Sequence, residues 1–578
     1  MPASSGTAII NNSGTALLPT TVTGSYSLLQ IGTTSGGSGT INVSGGSLSG
    51  VTGALGETSD ASGVATVTSG TWTSSFLTVG SSGTGSLLVN GGRVNNLSYV
   101  IGNSAGSSGS ATVTSGTWTS GSSVVGNSGT GSLLVNGGLV TATTNAYVGN
   151  AVGSSGSATV TSGTWTSRFS VIGNSGTGSL LVNGGLMTSS LGVIANSAGS
   201  SGTATVSSGT WTDSRDLRVG ASGSGSLAVS GGLVSVSGTV FTGTGSTGDG
   251  TITLSGSSGN RGTLSASRIL EGSGTSTINL NGGILQARTN ESDFLSGYEA
   301  GDVTIHAGGA FIDTNGFAIG INTVLSGSGA LTKQGAGTLT LSGSSSYFGG
   351  TVVNSGTLAV GHNQAVGSGA VIVNSGAFLV QSGFTAANPV TLAGGTLVEI
   401  FAPGTNLTDT INTTSNVGGT NTGAALLEGT TTAVATIESS FAATSLATND
   451  VIRLSDVFGL SGVPIVNIGT GETDLFVLQL QIADVTTESF LGWLDPNTNQ
   501  WVNAVFGNIG GTAAFQGDGA YNPGTDFVLG YYGVDTTANT VWAVLNHNSD
   551  FAIVPEPSTF ALLALGASLF FRRRIVRS

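Results

Sequence analysis

GSLLVNGG stands at residues 85–92, again at 131–138 and 178–185, and as GSLAVSGG at 225–232. Between these copies runs a second word: SGTWTSS around Trp72, SGTWTSG around Trp118, SGTWTSR around Trp165 and SSGTWTD around Trp211, with Trp spacings of 46, 47 and 46. Aligning the valine of ATV with the last apolar residue of LLV gives Val67, Val89, Val113, Val135, Val160, Val182, Val206 and Val229, so the period is half the Trp spacing, 22 to 25 residues. GTINVSGG extends the register backward to Val43, and TITLSGSSG and TINLNGG extend it forward to Leu254 and Leu280.

Within each unit the apolar residues come in short alternating bursts, SVVG, GSLLVNGG and LVTATT, separated by Gly, Ser and Asn. Alternation over four to six residues means strand, and no helical spacing is sustained. A unit of this length holds about three short strands and has no room for crossover helices, so the economical fold is a coil stacking successive turns in parallel, a β-solenoid. Equivalent residues of neighbouring turns then lie about 4.8 Å apart and form ladders. Valine and leucine ladders fill the core. The pairs Gly91–Gly92, Gly137–Gly138 and Gly184–Gly185 fit corners with positive φ, and Asn90, Asn136 and Asn183, and separately Asn103, Asn127, Asn150 and Asn174, stack at turns and bond from turn to turn.

Composition supports an ordered repeat. The 578 residues include 99 glycines and only 7% charged residues, but 38% are hydrophobic and regularly spaced, unlike a disordered linker. A net charge of -14, with nine of thirteen Lys and Arg ahead of the terminal arginines, leaves no basic patch for nucleic acid. The absence of cysteine excludes disulfides and thiolate metal sites. MPASSGTAIINNSG lacks the charged and apolar regions of a secretory signal, which predicts a start further upstream or another export route.

The organisation expected is a cap at 1–36, solenoid repeats over 37–400, an antiparallel β domain over 401–552 and a sorting tail at 553–578. After about residue 400 glycine thins and longer alternating runs appear; WLDPNTNQW and VDTTANTVW read as hairpins with Asp, Pro and Asn turns. Two aromatic groups invite a sugar-binding idea: the repeated Trp column, and Trp493, Trp501, Tyr531, Tyr532 and Trp542 with Asp495 and Asp535. Burial is the favoured reading of both, because large aromatics supply apolar area to cores and cross-strand pairs.

ALTKQGAGTLTLSG at 330–343, Tyr347 with Gly349, Gly350 and Thr351, and GTL at 356–358 together resemble the autotransporter-associated β-strand repeat, over residues 327–361. The resemblance implies a right-handed parallel β-helix displayed outside the cell and no chemistry; it makes Lys333, the only lysine, a family trait rather than a catalytic group.

Enzymatic β-helices need clustered carboxylates or a base beside a metal site. Residues 1–212 contain only Glu57 and Asp60 as acids. Asp213, Arg215, Asp216 and Arg218 alternate in sign and read as an exposed, salt-linked edge. Arg261, Arg268, Glu271, Arg288, Glu291, Asp293, Glu299 and Asp302 form the one stretch where a site is worth seeking, and His306, His362 and His547 are isolated. No catalytic, cofactor-binding or metal residue is assigned.

The chain closes with VPEPSTFALLALGASLFFRRR at 554–574. Ser558 to Phe571 is a short apolar helix, below the roughly twenty residues that span a bilayer, and the arginines behind it hold that end on the cytoplasmic side. Val554, Pro555, Glu556, Pro557 and Ser558 followed by Arg572, Arg573 and Arg574 resemble the PEP-CTERM sorting signal, which implies an exosortase-type enzyme as partner, transient inner-membrane anchoring and release to the cell surface or matrix. The prolines are expected to keep the motif's head extended and reachable. The expectation is a non-enzymatic surface or extracellular-matrix protein of structural or adhesive role, with exopolysaccharide and biofilm as its setting; the alternative is a carbohydrate-active β-helix lyase or hydrolase.

Overall fold

A computed structural model describes residues 6–401 except 382–383 and 385–387, the strands at 406–407, 411–413, 423–428 and 433–438, and residues 454–555 except 456, 462, 464, 468–470 and 484. The described chain is all-β, a β-solenoid of about 16 turns followed by antiparallel sheets. It divides into two compact units, residues 1–332 with 343–349 and residues 333–342 with 350–578.

In the first unit the strands of the coil pair in parallel with the equivalent strand one turn on, and a short antiparallel excursion sets Arg261 and Asn260 against Gly256 and Ser257. The most regular turns are the bent strands Ser62–Val79, Thr84–Ile101, Ser108–Val125, Thr130–Val148 and Ser155–Ile172. The valine column read from sequence is in register throughout, from Val43 through Val67, Val89, Val113, Val135, Val160, Val182, Val206 and Val229 to Leu254 and Leu280. Those side chains form the dry floor of the coil.

The doubled, 46-residue period has a packing cause. Trp72, Trp118, Trp165 and Trp211 share one column with Val94, Val140 and Met187, which occupy the intervening turns. A second inward column alternates in the opposite sense: Ala65, Ala111, Ala158 and Ala204 stand in the Trp turns, and Leu87, Leu133 and Leu180 in the others. Each turn therefore contains either Ala with Trp or Leu with a mid-sized residue, which conserves volume in a core that tolerates neither voids nor overpacking. Each buried indole removes about 200 Å² from water, about 5 kcal/mol of stabilisation.

The glycine corners divide their work. Gly91, Gly137 and Gly184 have φ of 105°, 113° and 112°, the left-handed region that favours glycine. Their neighbours Gly92, Gly138 and Gly185 do not, but a Cβ on any of them meets a valine Cγ1 of the previous turn at 2.5 Å. Conformation selects the first glycine and close approach the second. At another turn the Asn column forms a relay: Asn127 Nδ2 donates to Asn103 Oδ1 (3.1 Å), Asn150 to Asn127 (2.9 Å), Asn174 to Asn150 (3.0 Å) and Asn196 to Asn174 (3.0 Å). Asn90, Asn136 and Asn183 instead accept from Ser115, Ser162 and Ser208 one turn later.

In the second unit parallel rungs continue with a shorter repeat: Thr338–Leu341, Thr357–Val360, Ala377–Val380 and Thr396–Phe401 on one side, and Thr351–Val353, Val371–Val373, Val390–Leu392 and Ile411–Thr413 on the other. Thr396–Phe401 then takes Ala433–Glu438 as an antiparallel neighbour, and the parallel pattern ends. From there antiparallel pairing runs through Val457–Ser461, Ser549–Pro555, Ser489–Asp495 and Gln500–Asn503. A six-stranded sheet holds Asn406–Leu407, Gly423–Glu428, Phe476–Gln481, Thr540–Leu545, Tyr531–Asp535 and Ala514–Asp518, antiparallel but for its last pair. Tyr532 of this sheet packs on the cluster of Val457, Phe490, Trp501, Ala552 and Val554 from the other.

Both hairpins read from sequence are present. Asp495 pairs with Gln500 and Asp535 with Thr540, and Asn499 and Asn539 take positive φ of 51° and 57° in the turns. No described helix is long and apolar enough to cross a membrane. The expected C-terminal apolar helix lies outside the described residues.

Candidate functional site

The first candidate surface, the Trp column, is not a surface. All four indoles are fully buried. Trp72 Nε1 donates to Tyr26 Oη (2.7 Å), Trp118 Nε1 to Asn96 Oδ1 (2.8 Å) and Trp211 Nε1 to Ser189 Oγ (3.3 Å), while Trp165 Nε1 lacks a partner. Tyr99 stacks on Trp118 at 3.9 Å between ring centroids. These are core hydrogen bonds and stacking contacts, and no ring face is left for a sugar.

The polar groups that serve the indoles form their own buried column. Because Trp points inward and strands alternate, the residue two positions after each Trp also points inward: Ser74, Ser120, Ser167 and Asp213. Asn96 stands between the first two in register and donates to Ser74 Oγ at 2.6 Å. Asp213 corrects the expectation of an exposed salt-linked edge. It is 1% exposed, hydrogen-bonded to Ser189 Oγ, with Oδ2 lacking a partner and so close to Gly192 that a Cβ there would strike it. Burial pushes its carboxyl up to about 7, opposed by the Ser189 hydrogen bond. Arg215 and Arg218 are exposed, and Asp216 accepts the Thr239 N–H at 2.9 Å.

The charged stretch at 261–302 is brought together only in part, and its groups bind one another or the backbone. Arg268 bridges Glu291 (3.5 Å) and Asp293 (3.3 Å). Arg261 lies over the Phe311 ring at 3.5 Å and donates to the Gly282 carbonyl, and Arg288 donates to Ser235 Oγ at 2.8 Å. Glu271 is raised above the usual carboxylate range by burial first and then by Asp302 and Glu299. Among the described residues no group of three His, Asp or Glu side chains could hold a metal ion. His306 bonds Asn279, His362 accepts from the Gln364 N–H, and buried His547 bonds the Ala504 carbonyl; the three remain apart from one another's partners.

Lys333 is fully buried. Its ammonium donates to the carbonyls of Gln334 (3.0 Å), Gly335 (2.7 Å) and Ser355 (2.9 Å), so the charge is held by backbone oxygens at a corner of the coil. This is the physical role of the lysine in the repeat motif. In the antiparallel sheets Trp501 and Trp542 are buried, Trp493 donates to Ser549 Oγ at 2.7 Å, and Asp495 and Asp535 accept turn N–H groups. The carboxyl of Asp495 is held below its ordinary range by the Asn497 N–H and then Thr498. The aromatic cluster is core and hairpin framework.

Of the sorting residues, Val554 and Pro555 are described; Glu556, Pro557, Ser558, Arg572, Arg573 and Arg574 lie outside the described residues. Val554 and Pro555 end the strand Ser549–Pro555, with Val554 against Phe490 and Pro555 against Ser489 in register. Val554 is fully buried, which corrects the expectation that the whole head of the motif is reachable. Pro555, lacking an N–H, ends the ladder.

Two family models match the chain: the passenger-associated-transport-repeat over residues 331–360 and the PEP-CTERM protein-sorting motif over 554–574. The chain is also 41% identical over 86 residues to the adhesin BmaC autotransporter of Brucella suis biovar 1 (strain 1330). That match covers 14% of this chain and 2% of the relative. No solved structure matches. The chain thus has repeats like those of an autotransporter adhesin and a motif that implies processing by an exosortase-type enzyme.

Proposed function

We propose that this chain is an exported, non-enzymatic surface or matrix protein, sorted through its C-terminal motif and acting as a structural or adhesive element. The observation that carries the reading is the sorting motif placed after a repeat array resembling an adhesin passenger. The use of charge supports it: Arg261, Arg268 and Arg288 are held by carboxylates, a ring, a carbonyl and a hydroxyl.

The outward sides of the repeated strands suit a polysaccharide partner. Thr119, Thr141, Thr166, Thr188 and Thr212 follow one another in register on successive turns and are half-buried. Such a row presents uncharged hydroxyls about 4.8 Å apart to an extended, hydroxylated chain. Exopolysaccharide is therefore the proposed partner class, with brief anchoring in the inner membrane before processing.

Deleting residues 556–578 in the producing cell tests the reading. The full chain is expected outside the inner membrane and the shortened chain behind it; equal distribution of both contradicts sorting. The purified protein is expected to co-sediment with the host's exopolysaccharide and release no new reducing or unsaturated ends from it. Turnover lost on Arg268→Ala would establish the carbohydrate-active enzyme instead.

A further inference from the structure

The strand Ser549–Pro555 is not a tail laid on the surface. It has neighbours on both sides: Phe458, Gly459 and Leu460 pair with Phe551, Asp550 and Ser549, and Ser489 to Trp493 pair with Pro555 to Phe551. Leu454 N–H donates to the Ile553 carbonyl, and Ile553 N–H donates to Ser455 Oγ at 2.7 Å. Phe551, Ala552, Ile553 and Val554 are all fully buried. Val554 packs over Gly492 so closely that a Cβ there meets Val554 Cγ2 at 2.5 Å. The sorting motif begins at this same Val554.

One stretch of chain therefore belongs both to the sheet and to the signal. We propose that folding of the sheet withdraws Val554 and Pro555 from the processing enzyme, so that the bond cut lies beyond Pro555 and the mature chain keeps its last strand whole. The inference rests on the sorting reading and adds where the signal is divided. An enzyme that has to grip Val554 must displace an interior strand, giving up its ladder on both sides and the burial of four side chains. A cut at any bond from 549 to 554 removes that strand's support for both neighbours. A cut beyond Pro555 removes nothing from the sheet. In that cut the peptide C–N bond breaks, water supplies hydroxyl to the carbonyl carbon, and the departing amine takes the proton.

The test is the intact mass and C-terminal peptide of the protein recovered from its native host, read beside hydrogen exchange of the full chain. The expected mature C-terminus is Pro555 or a later residue, with the amides of Phe551 to Val554 exchanging about a thousandfold more slowly than in the free peptide. A mature end within residues 549–554, or amides there exchanging as in the free peptide, overturns the inference. An uncut chain refutes the sorting reading on which it rests. As a second handle, Gly492→Val crowds Val554 out of its seat. Faster exchange at 551–554 with an added cut upstream of Pro555 is expected in this variant; faster exchange there with the cut unmoved overturns the inference that the fold sets the limit.

Discussion

The coil over residues 62–194 and the antiparallel sheets over 454–555 bury comparable side chains by opposite means. In the coil each rung is completed by a residue 22 to 26 positions away, as in Val67 with Val89 or Val135 with Val160. In the sheets Phe458 pairs with Phe551 and Ile553 bonds Ser455, across most of the segment. The coil is a sum of neighbouring terms, while the sheets are closed by a last strand that must return from far along the chain. Damage in the first stays local; damage in the second is shared.

The largest expected effect breaks the coil's volume alternation. Trp118→Ala is expected to destabilise its turns by about 4 kcal/mol, read by denaturant unfolding. Trp118→Val combined with Ala111→Leu converts that turn to the composition of its neighbours and is expected to recover most of the loss. Two single changes that simply add would refute the complementarity.

Next comes Asp213. Its folded carboxyl sits near 7 against the ordinary aspartate value of 3.8, so the folded chain binds the extra proton. Its stabilising contribution is full below about pH 4, declines as pH rises through 7, and is flat above, a span of up to about 4 kcal/mol. Asp213→Asn is expected to remove that slope, and hydrogen exchange confined to residues 189–219 is expected to report it. A wild-type stability that does not fall between pH 4 and 7 contradicts the buried acid.

Smaller again are the turn devices. Asn150→Ala interrupts the amide relay and is expected to lower stability by about 1 kcal/mol, with the loss confined to neighbouring turns. Asp535→Ala removes the acceptor of two turn N–H groups and is expected to cost about as much, but spread over both sheets. Exchange maps of the two variants sharpen the contrast: a global effect from Asn150 or a local one from Asp535 would reverse it.

The same contrast decides what was legible. Val43 to Leu280, the amide relay and the first glycine of each corner could be read because each answers to a neighbour one period away; the second glycine, expected at positive φ, is set instead by the valine Cγ1 of the previous turn. The Trp spacing was equally plain, but its meaning needed the opposed Ala and Leu column, visible only in register. The charged neighbours Arg215, Asp216 and Arg218 suggest an exposed edge at Asp213, although its place two residues after Trp211 marks it as inward. Neither hairpin of the antiparallel sheets was hidden, since Asp, Pro and Asn mark their turns. The double role of Val554 was hidden, because its partners Phe490, Gly492 and Trp501 are distant in sequence and share no repeat with it.

The most direct test of the surface assignment uses an epitope placed in the turn at Gly106, where the structure has open space around the missing Cβ. On intact cells of the native host the epitope is expected to bind antibody and to be removed by added protease. Binding that appears only after the inner membrane is opened, with the chain retained in the cytosol, contradicts export and display.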